Sequence, residues 1–179
     1  MQQEIVRYIQ DCGFEQYAVF DTARLRVRTE VRAMCAADKC HAYAHSWSCP
    51  PACGTLEHWD ERMHSFSGGI VFQTVGQMED EFDFAAIERT SDAHKARFMK
   101  FAEMLADAGL DGSVQLLAAG TCTLCERCTY PDAPCVHPEL MYPSMEACGL
   151  LVTEVCELAG LPYYHGPCTT AFFSCVLFN

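Results

Sequence analysis

Cys122, Cys125, Cys128 and Cys135 are spaced C-x2-C-x2-C-x6-C. Three thiolates so close together make a short loop able to wrap a compact inorganic core. Backbone N–H groups of such a loop turn toward the sulfurs and stabilise their charge. The run is close to the bacterial ferredoxin pattern C-x2-C-x2-C-x3-C-P, whose triplet holds irons of one 4Fe–4S cubane. Two differences matter: the last gap is six residues, and Pro134 precedes the fourth cysteine instead of following it. The fourth ligand therefore closes the same cluster or reaches another. Zinc is the competing metal. Structural zinc sites use two separated C-x2-C pairs around a tetrahedral ion, so a triplet suits a cubane better.

Upstream, Cys35, Cys40, Cys49 and Cys53 form C-x4-C-x8-C-x3-C, with Trp47 and Pro50-Pro51 stiffening and shielding the third thiol. Four and four meet the demand of two 4Fe–4S clusters. Cys35, Cys40 and Cys49 are the safer trio and Cys53 the weaker fourth. Without Cys53 one iron is open and can take a substrate or a sulfur atom. The plain alternative is buried thiols in a packed loop. Arg24, Arg26, Arg28 and Arg32 are four of the 12 Lys+Arg and stand just before Cys35. An oxidised 4Fe–4S core with four thiolates carries roughly −2. The arginines offset that charge, form an anion pocket, or line an exposed strand face in solvent.

Five further cysteines, Cys12, Cys148, Cys156, Cys168 and Cys175, fall on apolar faces, in a late loop or in the last strand, and read as core packing. Cys168, in HGPC beside His165, fits that reading least well. His41, His45 and His137 adjoin cysteines and read as supporting or surface groups rather than ligands. Trp47, Tyr130 and Tyr142 are candidates to cover the clusters.

The elements that must carry these loops follow from periodicity. Residues 1–12 form an amphipathic helix with Ile5, Ile9 and Cys12 on one face, closed by Gly13. Tyr17 to Phe20 is a strand, and Arg24, Arg26 and Arg28 alternating with Leu25 and Val27 have strand period. Residues 33–54 are loop, Gly69 to Val75 is a buried strand, and 77–83 is an acidic connection. Thr90 to Ala108 is helical, with Ser91 as cap and Gly109 as stop. Val114 to Ala118 is a short strand running into the second cysteine loop. Ser144 caps a helix bearing Met145, Cys148, Val152, Val155 and Ala159, ended by Gly160; Gly149 inside it marks the first turn as a separate piece. Ala171 to Phe178 is the last strand. Strands alternating with helices predict an α/β fold: one domain over 1–179, with a small mixed, partly parallel sheet flanked by helices and two cysteine-rich loops.

Composition narrows the function. The chain has 179 residues, 50% of them hydrophobic, and a mean hydropathy of +0.01, which suits a packed core and excludes disorder. Its 24 Asp+Glu against 12 Lys+Arg give a net charge of −12, so nucleic acid and membrane surfaces are poor partners. No apolar run reaches the roughly 18–20 residues of a membrane span. The N-terminus MQQEIVRYIQDCG lacks the pattern of a signal peptide, so a cytoplasmic location is expected. There thiols stay reduced, and 13 clustered cysteines point to metal rather than disulfides. No P-loop and no dinucleotide glycine fingerprint is present.

The runs WSCPPACG, GTCTLCERCTYPDAPCVHPE and PSMEACG together resemble a prokaryotic family described as predicted metal-binding proteins, a domain of unknown function. The resemblance spans most of the chain, from the Arg-rich segment to the last strand. It implies an α/β, cysteine-rich, intracellular protein with ligands at Cys35, Cys40, Cys49, Cys122, Cys125, Cys128 and Cys135. Cys53 stands where that family has an aliphatic residue and Cys168 where it has Asn, which counts against both as ligands. It supplies no substrate and no reaction. The expected function is therefore an iron–sulfur protein with one or two 4Fe–4S clusters, serving electron transfer or a redox accessory step in anaerobic metabolism with a redox partner protein. One alternative is an enzyme using an open iron on a small anionic or sulfur-containing molecule. The other is a structural zinc module in a binding or regulatory role.

Overall fold

Strands form where the sequence runs apolar or alternates. They are β1 (Gln16–Asp21), β2 (Gly68–Gln77), β3 (Val114–Leu117) and β4 (Thr169–Phe178). The computed structural model describes residues 1–179 and joins them in the order β1-β2-β4-β3. All three pairings are antiparallel, which corrects the expectation of a partly parallel sheet. The reason lies in the last strand. β2 and β3 do run in the same direction, as a strand–helix–strand connection implies. β4 then inserts between them and pairs antiparallel with both. Strand direction was readable locally; the neighbour in the sheet depended on a segment about 50 residues further on.

Alternate side chains of each strand serve opposite faces. On one face Ile70, Phe72, Leu116, Val176 and Phe178 pack under α1 (Gln2–Asp11) and α4 (Phe84–Asp107). On the other, Val71, Leu117, Cys175 and Leu177 pack with Phe20 and with Trp59 and Met63 of α3 (Leu56–His64). Val155 and Cys156 of α5 (Val152–Ala159) complete that core. The cysteine loops attach to this second core through Cys148, Met145 and Leu150. No helix is long and apolar enough to cross a membrane.

Helix boundaries depart from the sequence expectation in physically readable ways. α4 starts at Phe84, seven residues before Ser91, because the Asp83 carboxylate accepts the Ala86 amide at 2.9 Å. Its core-facing stripe runs Ala86, Thr90, His94, Phe98, Phe101, Leu105, so two polar residues hide its first half. The Arg-rich segment is not a strand. A short helical turn (Thr22–Arg24) leads into an extended stretch with one antiparallel bridge, Val27 to Leu150. Then α2 (Thr29–Ala36) begins, runs into what read as loop from residue 33 onward, and carries Cys35 in its last turn.

Residues 144–150 form a separate turn before α5. The Ser144 hydroxyl accepts the Ala147 amide at 3.1 Å. Gly149 has φ +87°, and a Cβ there would lie 2.6 Å from Leu56 and 2.8 Å from Val27. Glycine thus lets this turn press against α3 and the segment before α2, where the Arg28 amide donates to the Gly149 carbonyl at 2.8 Å. Gly160 ends α5 in the left-handed region.

Candidate metal centre

The loop that leaves β3 carries Cys122, Cys125, Cys128 and Cys135, and all four line one cavity of about 40 Å³ with Ser46 and Trp47. Each of the four is partly exposed. Burial pushes the Cys122 thiol up, and the charges of Cys135, Cys125 and Cys128 push it further, which places the four within reach of one another's fields. Cys128 behaves differently. Burial raises it, but amides of Tyr130, Trp47 and Thr129 and the Ser46 hydroxyl outweigh burial and bring it below its ordinary value. N–H donors directed at a sulfur stabilise thiolate, the form that binds metal.

Residues 46–49 join this loop to the first cysteine set. The Trp47 amide donates to the Cys128 sulfur at 3.5 Å, and the Trp47 indole donates to the Ala133 carbonyl at 3.1 Å. The Trp47 ring meets Tyr130 edge-on at 4.9 Å. Next along, the Cys122 amide donates to the buried Ser48 hydroxyl at 3.1 Å, and the Cys49 thiol donates to the Thr121 hydroxyl at 3.5 Å. A four-residue strip thus runs along the second loop and delivers Cys49 beside Cys122. Trp47 lines the cysteine cavity, and Tyr130 packs on Trp47 from outside the lining. Tyr142 instead packs edge-on against Phe98 and lines a neighbouring cavity.

The first set is less even. The Cys53 amide donates to the Cys49 carbonyl, so these two lie one helical turn apart. The Cys35 thiol donates to the Glu146 carbonyl at 3.8 Å and the Cys53 thiol to the Ala147 carbonyl at 3.5 Å. Consecutive carbonyls of one turn therefore hold Cys35 and Cys53 side by side. Burial pushes Cys53 up to about 11 and raises Cys35, with Glu146, Cys49 and Cys40 adding to the latter. Cys40 stands on an exposed turn between Asp38 and His41, both at positive φ. Cys53, doubted from the sequence, is thus packed among these thiols, while Cys40 faces solvent.

Of the four arginines, Arg28 forms a two-pronged ion pair with Glu154, at 2.7 and 3.1 Å. With Arg24 and Arg26 it lines a separate cavity of about 290 Å³. Arg32 is the one whose charge acts on thiols, lowering Cys35, Cys53 and Cys148 against the upward push of burial. Its Nη1 donates to the Gly54 carbonyl at 3.0 Å, whereas Nε and Nη2 are buried without a partner.

Cys12, Cys148, Cys156 and Cys175 are buried in the two cores. Cys168 sits at positive φ just before β4. His41 and His45 are exposed, and His137 lines the cysteine cavity. Sequence reasoning passed over Ser46, Ser48 and Thr121, whose hydroxyls knit the loops. Their signal was the S-W-S-C run, in which small polar residues flank an aromatic one next to a thiol. It also passed over His94, buried in the middle of the α4 stripe.

The donor set fits a thiophilic metal: four thiols on one cavity, amide donors on one sulfur, and a second thiol group joined to the first. No three of the chain's His, Cys, Asp and Glu side chains stand close enough in this conformation to hold one ion. The thiols encircle a space without having closed on a point. A family model described as "Predicted metal-binding protein (DUF2284)" matches residues 18–178. No curated protein and no solved structure matches the chain.

Proposed function

The chain belongs to this predicted metal-binding family, and from that premise we propose that it is an iron–sulfur protein. Cys122, Cys125, Cys128 and Cys135 would hold a 4Fe–4S cluster. One observation carries the reading: the four thiols share one cavity, and at Cys128 amide donors are already aimed at the sulfur. Amide-to-sulfur hydrogen bonds and partial burial are the means by which proteins set such a cluster's potential. When bound, the cluster supplies a one-electron couple. The chain's own part is to bind it, to keep water off with Trp47 and Tyr130, and to balance its charge. We assign the protein an electron-transfer or redox accessory role in the cytoplasm, with a redox partner protein.

The test is purification without oxygen, followed by counting iron, zinc and acid-labile sulfide per chain. Iron and sulfide in equal amounts support the proposal, and Cys125→Ser should remove that share. Zinc without sulfide would replace it with the structural zinc module. A second reading, catalysis at an iron left open by a three-cysteine set, is favoured by the exposed position of Cys40 away from the buried Cys49. An electron paramagnetic resonance signal that changes when small anions or thiols are added would support it; a fully ligated carrier gives no such change.

A further inference from the structure

We propose that Arg32 is the hydrogen-bond donor to a second metal–thiolate centre, built on Cys35, Cys49 and Cys53. This rests on the metal reading above and goes beyond it by naming the second ligand group and its cationic support. Arg32 lies one turn before Cys35 on α2, so both side chains leave the same helix face. Its Nη1 is anchored on the carbonyl of Gly54, the residue after Cys53. That anchor fixes the guanidinium plane and leaves Nε and Nη2, both buried, with no acceptor in the protein.

A buried guanidinium with two idle donors is a configuration that folding avoids unless an anion completes it. Carboxylates do not complete it: Arg28–Glu154 is the one arginine–carboxylate ion pair in the structure. The charge of Arg32 acts on the thiols of Cys35, Cys53 and Cys148, and on the exposed carboxylate of Glu57, to which it makes no hydrogen bond. Cys35 and Cys53 are held side by side by the Glu146 and Ala147 carbonyls, and Cys49 is one turn from Cys53. Three thiolates around a metal carry net negative charge, and a planar two-donor fork suits the sulfurs of such a group. Arg32 then neutralises the centre and orients its ligands, as supporting groups around metal sites do. Cys40, whose charge also acts on Cys35, stands at the exposed edge of this group.

The experiment compares wild type, Arg32→Gln, Arg32→Lys, Cys49→Ser and Cys125→Ser, each loaded with iron and sulfide without oxygen. The readouts are metal per chain, resistance to a chelator, and the midpoint potential of each centre. Arg32→Gln should make one centre about 10–100-fold easier to strip and lower its potential. The centre that Cys125→Ser removes should be untouched. Arg32→Lys keeps the charge and loses the fork, so it should show a smaller loss in the same direction; it also serves if Arg32→Gln does not fold. Unchanged retention and potential in both Arg32 variants would overturn the proposal. So would a Cys49→Ser protein that keeps the full metal content of wild type, and that result leaves the first centre standing. A wild type that takes up no metal would overturn both.

Discussion

The Trp47 amide donates to the sulfur of Cys128 at 3.5 Å, across 81 residues of sequence. Two cysteine loops that the chain separates by β2, α4 and β3 thus meet through backbone, not only through thiols. These hydrogen bonds contribute to placing the second loop, and order of that kind lowers the entropy that metal binding must overcome.

That junction is open to test at Ser48. Its buried hydroxyl accepts the Cys122 amide at 3.1 Å and lies 3.1 Å from the Ser46 hydroxyl. Ser48→Ala removes the acceptor and leaves a half-buried amide unpaired, at about 1–3 kcal/mol. Urea unfolding should report that loss. Chelator competition should show weaker metal retention at the second loop, because Cys122 loses its anchor. Wild-type stability and retention in this variant would mean that the two loops are independent.

The four strands, α1 and the turn at Gly149 were legible because each announces itself within a few residues, by alternation, an amphipathic stripe or a misplaced glycine. Strand order was not, since β4 reaches its place between β2 and β3 only through long-range pairing. α3 was missed because only Trp59 and Met63 mark its buried face. The cysteine candidates were visible by spacing. Their surroundings were not: Cys53 looked out of pattern and Cys40 looked regular, yet Cys53 is the more buried of the two. Spacing along a loop says which thiols are near in sequence, while the turn at Glu146 and Ala147, a hundred residues away, decides which ones share a neighbourhood.

Gly149 offers a direct measure of how tightly that turn is seated. At φ +87° an Ala side chain is strained, and its Cβ would also overlap Leu56 and Val27. Gly149→Ala should cost about 2–4 kcal/mol, combining left-handed backbone strain with overpacking. Gly109→Ala is the control, with φ +67° and open space around it, and should cost only about 1–2 kcal/mol. Equal losses in thermal unfolding would show that the 144–150 turn yields freely and does not fix Cys35 and Cys53.

His94 links α4 to two strands and predicts an acid response. Thr74 and Ser174 hydroxyls lie 3.1 and 2.8 Å from its two ring nitrogens, and the ring is fully buried. Burial, reinforced by Arg97 and Lys95, pushes its pKa down to about 3 from 6.5. Between those values the unfolded chain binds a proton that the folded chain refuses. Stability therefore rises with pH across the window, and is lost as pH falls below about 6.5 toward 3. The slope from this one group approaches about 1.4 kcal/mol per pH unit. Replacing the ring by His94→Gln removes the titration, so the variant should lose less stability than wild type between pH 7 and 4.5. The comparison uses unfolding free energies of the two proteins loaded alike, so that metal release in acid cancels in the difference. Parallel pH profiles would mean that His94 titrates alike in the folded and unfolded chain, so that in acid the hydroxyl pair accepts from an imidazolium rather than bracketing a neutral ring.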